Sequence, residues 1–344
     1  MGYWEKAKQK QAEYIEDRER QFIEWRIKKE ADVSREINKV LLQTEELSKE
    51  TLNRWIYKYA DKEGLGPGQV VQMVRATDMA ELSKMAEYYV KQRWLKGDKV
   101  TPFTKVANAE MKQYNFAMRV SRYEFLLRQL NLVIMDGAIQ QDDILRTFLL
   151  EMSLAEVKRQ AGILGLNVQM HDQLRRNAEL IVNADYHGQT FSRRIWNYQD
   201  LLQKKLDEGI NRSIMLGQHP TKWSKALGEY MTEQFEGNKY AMNRLAITET
   251  GRVQIAVQKD CYERAGIKQY VVITEPGACP ICLPFDNKVQ DVQDMRPGIN
   301  APMFHPNCRC STSSYVSREE FERDVEEYKE KKASKKKSCH ESER

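Results

Sequence analysis

Along most of this chain apolar residues recur at helical rather than strand spacing, separated by long polar stretches. In residues 3–60 they fall at Ile15, Phe22 and Ile23, then at Val33, Ile37, Val40 and Leu41, which predicts one or two long helices. Lys, Arg, Glu and Gln fill the gaps, and their charges nearly cancel. A helix so polar has little apolar face to bury. It reads as an extended arm or a helix docked on another protein, with a solvated segment as the alternative. Trp4, Trp25 and Trp55 suit either a partner surface or the chain's own core.

Gly64-Leu65-Gly66-Pro67-Gly68 breaks the pattern as a turn, and Asp78 with Glu81 has the spacing of a capping box before a helix that stops at Gly97. A helix over about 104–136 follows, dense in Tyr114, Phe116, Met118, Tyr123, Phe125, Leu126, Leu130 and Ile134. Further helices are expected near 141–164, 172–183 and 192–217, with Asp142-Asp143 at a helix N-terminus, where acidic side chains suit the dipole. Residues 221–265 continue as helices broken at Glu236-Gly237-Asn238. The β-branched and aromatic run at 268–274 predicts a strand, and 288–292 a partner for it. Ser317 and Glu320 then announce a last helix. The fold class is therefore mainly α, with an elongated helical N-terminal region and a small C-terminal α+β module. The expected divisions are 1–100, an extended helical arm; 101–240, a helical domain; 241–316, the small module; and 317–344, a helix and basic tail.

With 344 residues, 31% of them charged, and a mean hydropathy of −0.70, the chain suits a helical protein with much exposed surface. No run of 18 apolar residues occurs, so no membrane helix is expected, and the N-terminus lacks the apolar core of a secretory signal. A net charge of +5 permits contact with nucleic acid without arguing for it. Neither G-x-x-x-x-G-K-[ST] nor G-x-G-x-x-G is present, so nucleotide use has no support. His171, His187 and His219 are each isolated, the last two in turns, and suggest no catalytic or metal grouping.

Composition changes sharply at Pro276–Tyr315, which holds six of the nine prolines and four of the six cysteines. Cys279 and Cys282 form a C-x-x-C pair in a proline-bearing turn, and His305, Cys308 and Cys310 follow as H-x-x-C-x-C. Two-plus-two arrangements of this kind supply tetrahedral zinc, at about 2.3 Å for sulfur and about 2.0 Å for nitrogen. Five candidates compete for four places, so one of His305, Cys308 and Cys310 is a supporting or spare group. A structural zinc that staples the module is the expectation. The alternative is two thiol pairs or buried free cysteines.

These residues carry a resemblance. CPIC (279–282) and HPNCRC (305–310), preceded by ITET (247–250) and FSRRIW (191–196), resemble the phage Mu F-like family of head-morphogenesis, or minor capsid, proteins over roughly 190–315. The resemblance implies a virion protein located at the portal or head interior, made in the host cytoplasm. Its partners would be the portal protein and head shell or scaffold proteins, and it would have no enzymatic turnover. It also implies that the ITET helix packs on the metal module, which gives Glu249 a buried hydrogen-bonding role. Near a packaged genome, Lys329, Lys331, Lys332, Lys335, Lys336 and Lys337 become non-specific phosphate contacts; otherwise this run is a solvated tail. The competing classes are a zinc-dependent nucleic-acid-binding protein and a nuclease or transferase. A His-metal nuclease would need a second histidine or an acid beside His305, and the nearest acids in sequence are Asp291 and Asp294.

Overall fold

The computed structural model describes residues 3–59, 122–166, 168–215 and 220–317, with a few isolated positions besides. Among these, five helices precede a small sheet: α1 (Tyr3–Tyr59), α2 (Arg122–Leu164), α3 (Val168–Val182), α4 (Phe191–Met215) and α5 (Pro220–Ala265), then β1 (Gln269–Ile273), β2 (Val289–Asp291) and β3 (Ser311–Tyr315). The chain is mainly helical with a small C-terminal sheet, as its periodicity predicts. The turn at Gly64–Gly68, all but isolated positions of the helix after Asp78, and the tail lysines Lys329, Lys331, Lys332, Lys335, Lys336 and Lys337 lie outside the described residues.

Two expected breaks are absent. Residues 136–141 run on within α2, so Asp142 is not at a helix N-terminus but mid-helix, paired at 3.1 Å with Arg146 one turn on. Gly237 lies inside α5, because one glycine costs a helix only about 1 kcal/mol and packing on either side outweighs that. Residues 3–59 form a single helix. That helix also buries a continuous stripe at three- and four-residue steps: Glu19, Ile23, Arg26, Glu30, Val33, Ile37, Leu41, Ser48, Leu52 and Trp55. From Glu19 to Trp55 the helix therefore packs on its own chain, and Trp55, 2% exposed, belongs to that core.

The chain groups into two compact units. One comprises residues 31–148 and 184–246. Its core is aliphatic and aromatic, with Ile37, Leu52 and Trp55 of α1, Phe125, Leu130 and Leu145 of α2, Ile195 and Leu206 of α4, and Met231 and Phe235 of α5. Thr190 accepts the Arg193 N–H and so caps α4, while His187 sits in the Tyr186–Gln189 turn with φ of 52°. Lys49 and Glu45 of α1 share Thr232 of α5 through hydrogen bonds of 2.6 and 2.8 Å.

The other unit comprises residues 1–30, 149–183 and 247–344. Its sheet is antiparallel, in the order β2-β1-β3, with Val271 opposite Val289 on one side and Ser313 on the other. The expected β1–β2 pair is present, and β3 completes it. Tyr270 and Val272 of β1 pack against Ile255 and Tyr262 of α5 with Val292, Met295 and Ala301. At the end of α3 the carbonyls of Ile181 and Val182 accept both terminal nitrogens of Arg252 at 2.8 Å. Arg252 is itself held by Glu249, which is 1% exposed. The acid of the ITET segment thus has a structural partner.

No helix among the described residues is long and apolar enough to cross a membrane.

Candidate metal centre

Two loops on the sheet bring all five sequence-predicted residues together. The first leaves β1 and turns at Cys279, whose carbonyl accepts from the N–H groups of Cys282 and Leu283 at 3.0 Å. That turn aims the Cys282 and Ile281 N–H groups at Cys279 Sγ. Asp286 locks its far end by accepting the Thr274 N–H at 3.1 Å and the Thr274 hydroxyl at 2.7 Å.

The second loop is tighter and rests on α5. Met303 and Asn307 adopt φ of 82° and 66°, conformations that non-glycine residues rarely take. The turn directs the N–H groups of Met303, Phe304 and Cys310 at Cys308 Sγ. The Asn307 N–H donates to Thr248 Oγ1 at 3.3 Å. Gly251, one turn on, lets the loop approach. A Cβ there would run into Met303 Sδ and lie 3.3 Å from the Cys308 carbonyl oxygen. Gly251→Ala is expected to destabilise this unit by about 1–3 kcal/mol through overpacking. It should also weaken metal affinity, which a competitive chelator titration measures.

The ligand-type atoms form two triads that share Cys282. Cys279, Cys282 and His305 make one, and Cys282, Cys308 and Cys310 the other, with the atoms of each within 4.8 Å of one another. His305 Nε2 lies 3.2 Å from both Cys279 Sγ and Cys282 Sγ, and Cys282 Sγ lies 3.8 Å from Cys308 Sγ. Zinc–sulfur bonds of about 2.3 Å at the tetrahedral angle place two sulfurs roughly 3.8 Å apart. His305 Nδ1 lies 2.7 Å from the Pro306 carbonyl oxygen, to which it donates, so the lone pair of Nε2 faces the sulfurs.

The surroundings sort the thiols. The Cys310 thiol, followed by backbone N–H groups, holds Cys308 down at about 5. Cys279 is likewise lowered, chiefly by the Cys282 N–H. Burial pushes Cys282 up. Cys310 is raised above all by its hydrogen bond to Cys308. Cys308 and Cys310 are fully buried and Cys282 is 1% exposed, whereas Cys279 and His305 reach the surface. Cys261, also fully buried, stands apart from the cluster.

Sequence reasoning did not single out Gly251, nor the motif's Arg309, whose Nε donates to Glu30 Oε2 at 2.8 Å. Gly251 directly follows the Thr248-Glu249-Thr250 cluster, and that adjacency was the available signal.

Neither curated proteins nor solved structures give a match to the chain. Residues 204–313 match the family described as phage Mu protein F like protein. The matched stretch contains all five candidate ligands and the whole of α5 on which they rest, and over those residues the chain is similar to the phage Mu protein F like family.

Proposed function

We propose that this protein is a minor head protein of a phage, acting in head morphogenesis at the portal, with one structural zinc in its C-terminal module. The family match over residues 204–313 carries the virion role. The 3.2 and 3.8 Å spacings among Cys279, Cys282, His305 and Cys308 support the metal. These four are the ligands, and Cys310 is the fifth group, a thiol donating to Cys308. A set with four protein ligands leaves no open position for substrate or water, which fits a structural rather than a catalytic zinc. Both triads consist of cysteine and histidine among the described residues, and Asp291 is engaged by Gln269 Nε2 at 3.0 Å. The geometry therefore favours the structural role over a nuclease.

The test is a phage lacking this gene, complemented by the wild-type chain. Complementation should restore infectious particles, and the chain should co-purify with portal or heads. Fully infectious particles without it would overturn the head role. DNA binding by the lysine run at 329–337 is a separate part of the proposal. Truncation after Tyr328 should weaken non-specific DNA binding and make the slope of log K against log salt shallower, by about 0.9 for each phosphate that the lysines neutralise. An unchanged slope assigns the run to solvent.

A further inference from the structure

The segment of α1 that enters the metal-bearing unit presents a charged face rather than an apolar one. Glu19, Arg26 and Glu30 are 2%, 0% and 1% exposed, and Ile23 is the buried apolar residue among them. Two of their partners come from the stretch that follows the last proposed ligand, beside Arg159 of α2, which donates to Glu19 at 3.1 Å. Arg309, next to Cys308, donates to Glu30 at 2.8 Å. Ser311, next to Cys310, donates to Glu19 at 2.9 Å. Arg26 donates to Gln254 Oε1, whose Nε2 donates in turn to Ser311 Oγ at 2.9 Å, and Arg26 Nε lies 3.2 Å from Glu30.

An apolar seam tolerates small displacements, because burial is non-directional. Buried carboxylates do not, since each requires a donor within hydrogen-bond distance. Docking of residues 19–30 therefore depends on where Arg309 and Ser311 stand, together with Arg159 of α2 and Gln254 of α5. Their positions follow from Cys308, held by three backbone N–H groups and by its place among the sulfurs, and from buried Cys310. We propose that α1 reads the state of the metal centre: residues 19–30 dock on Arg309 and Ser311 when metal holds the loop, and release when it is removed. This rests on the zinc proposed above.

Hydrogen exchange of the full-length chain, zinc-loaded and after chelation, is the experiment. Amides of residues 19–30 should exchange faster in the metal-free chain. Since chelation can loosen the whole module, Arg309→Gln keeps every ligand and isolates the link. Zinc-loaded R309Q should hold about one zinc per chain and retain protection in β1. Its α1 amides should nevertheless exchange faster by on the order of 10- to 100-fold, the scale of one charged hydrogen bond. Zinc affinity should fall by a matching factor, because coupling is reciprocal. A zinc-loaded R309Q chain with wild-type exchange in residues 19–30 overturns the coupling alone. A wild-type chain that binds no metal overturns the zinc proposal, and the coupling with it.

Discussion

Cys282→Ser is expected to abolish zinc binding and unfold the loops around the sheet. Cys282 is shared by both triads, so neither remains complete without it. Structural zinc contributes roughly 10–16 kcal/mol of binding free energy that is also folding free energy, which exceeds what a three-stranded sheet gains from its own small core. Metal content of protein purified without chelator should fall from about one zinc per chain to near zero. Amides of Gln269–Ile273 should lose protection, whereas helices whose cores are apolar, such as Phe191–Met215, keep theirs. Cys310→Ser is the matched control. If Cys310 is the supporting thiol, that variant keeps its zinc with reduced affinity. A variant at 310 that loses zinc entirely, beside a variant at 305 or 308 that keeps it, would reassign the fourth ligand.

The elements and candidate ligands were legible in the sequence wherever one local signal decided them. The C-x-x-C and H-x-x-C-x-C spacings name all five clustered residues, and the β-branched run at 268–274 gives β1. What stayed hidden is non-local. The buried stripe of α1 escaped the apolar pattern because three of its positions, Glu19, Arg26 and Glu30, are charged and balanced by Arg159, Gln254 and Arg309 from distant parts of the chain. Strand β3 reads Ser-Thr-Ser-Ser-Tyr and lacks the apolar residues that mark a buried strand. Its polar side chains are instead satisfied by α5: Thr312 by Gln258, and Ser311 by Gln254 and Gln258. Asp142 and Gly237 look like helix punctuation, yet packing carries both helices through.

Arg159→Met should cost about 3–5 kcal/mol at neutral pH, because it leaves two buried carboxylates without their shared cation. Arg159 donates to Glu156 at 2.7 and 2.8 Å and to Glu19 at 3.1 Å, and its guanidinium lies 4.2 Å from the centre of the Phe22 ring. Methionine retains much of the apolar packing, so the deficit reports charge rather than volume. Acidity separates the two. Burial already raises the Glu19 carboxyl above its usual range, against the opposing pull of Arg159. Removing Arg159 raises it further. A carboxyl with a higher folded than unfolded pKa binds more protons in the native state, so stability falls as pH rises between those two values. The variant's deficit should therefore be smaller near the ordinary carboxylate range than at neutral pH, and it should grow as pH is raised through the elevated Glu19 value. Urea denaturation of wild type and R159M across this range measures it. An equal deficit at every pH would mean that the arginine acts by packing on Phe22 and not by neutralising Glu19 and Glu156.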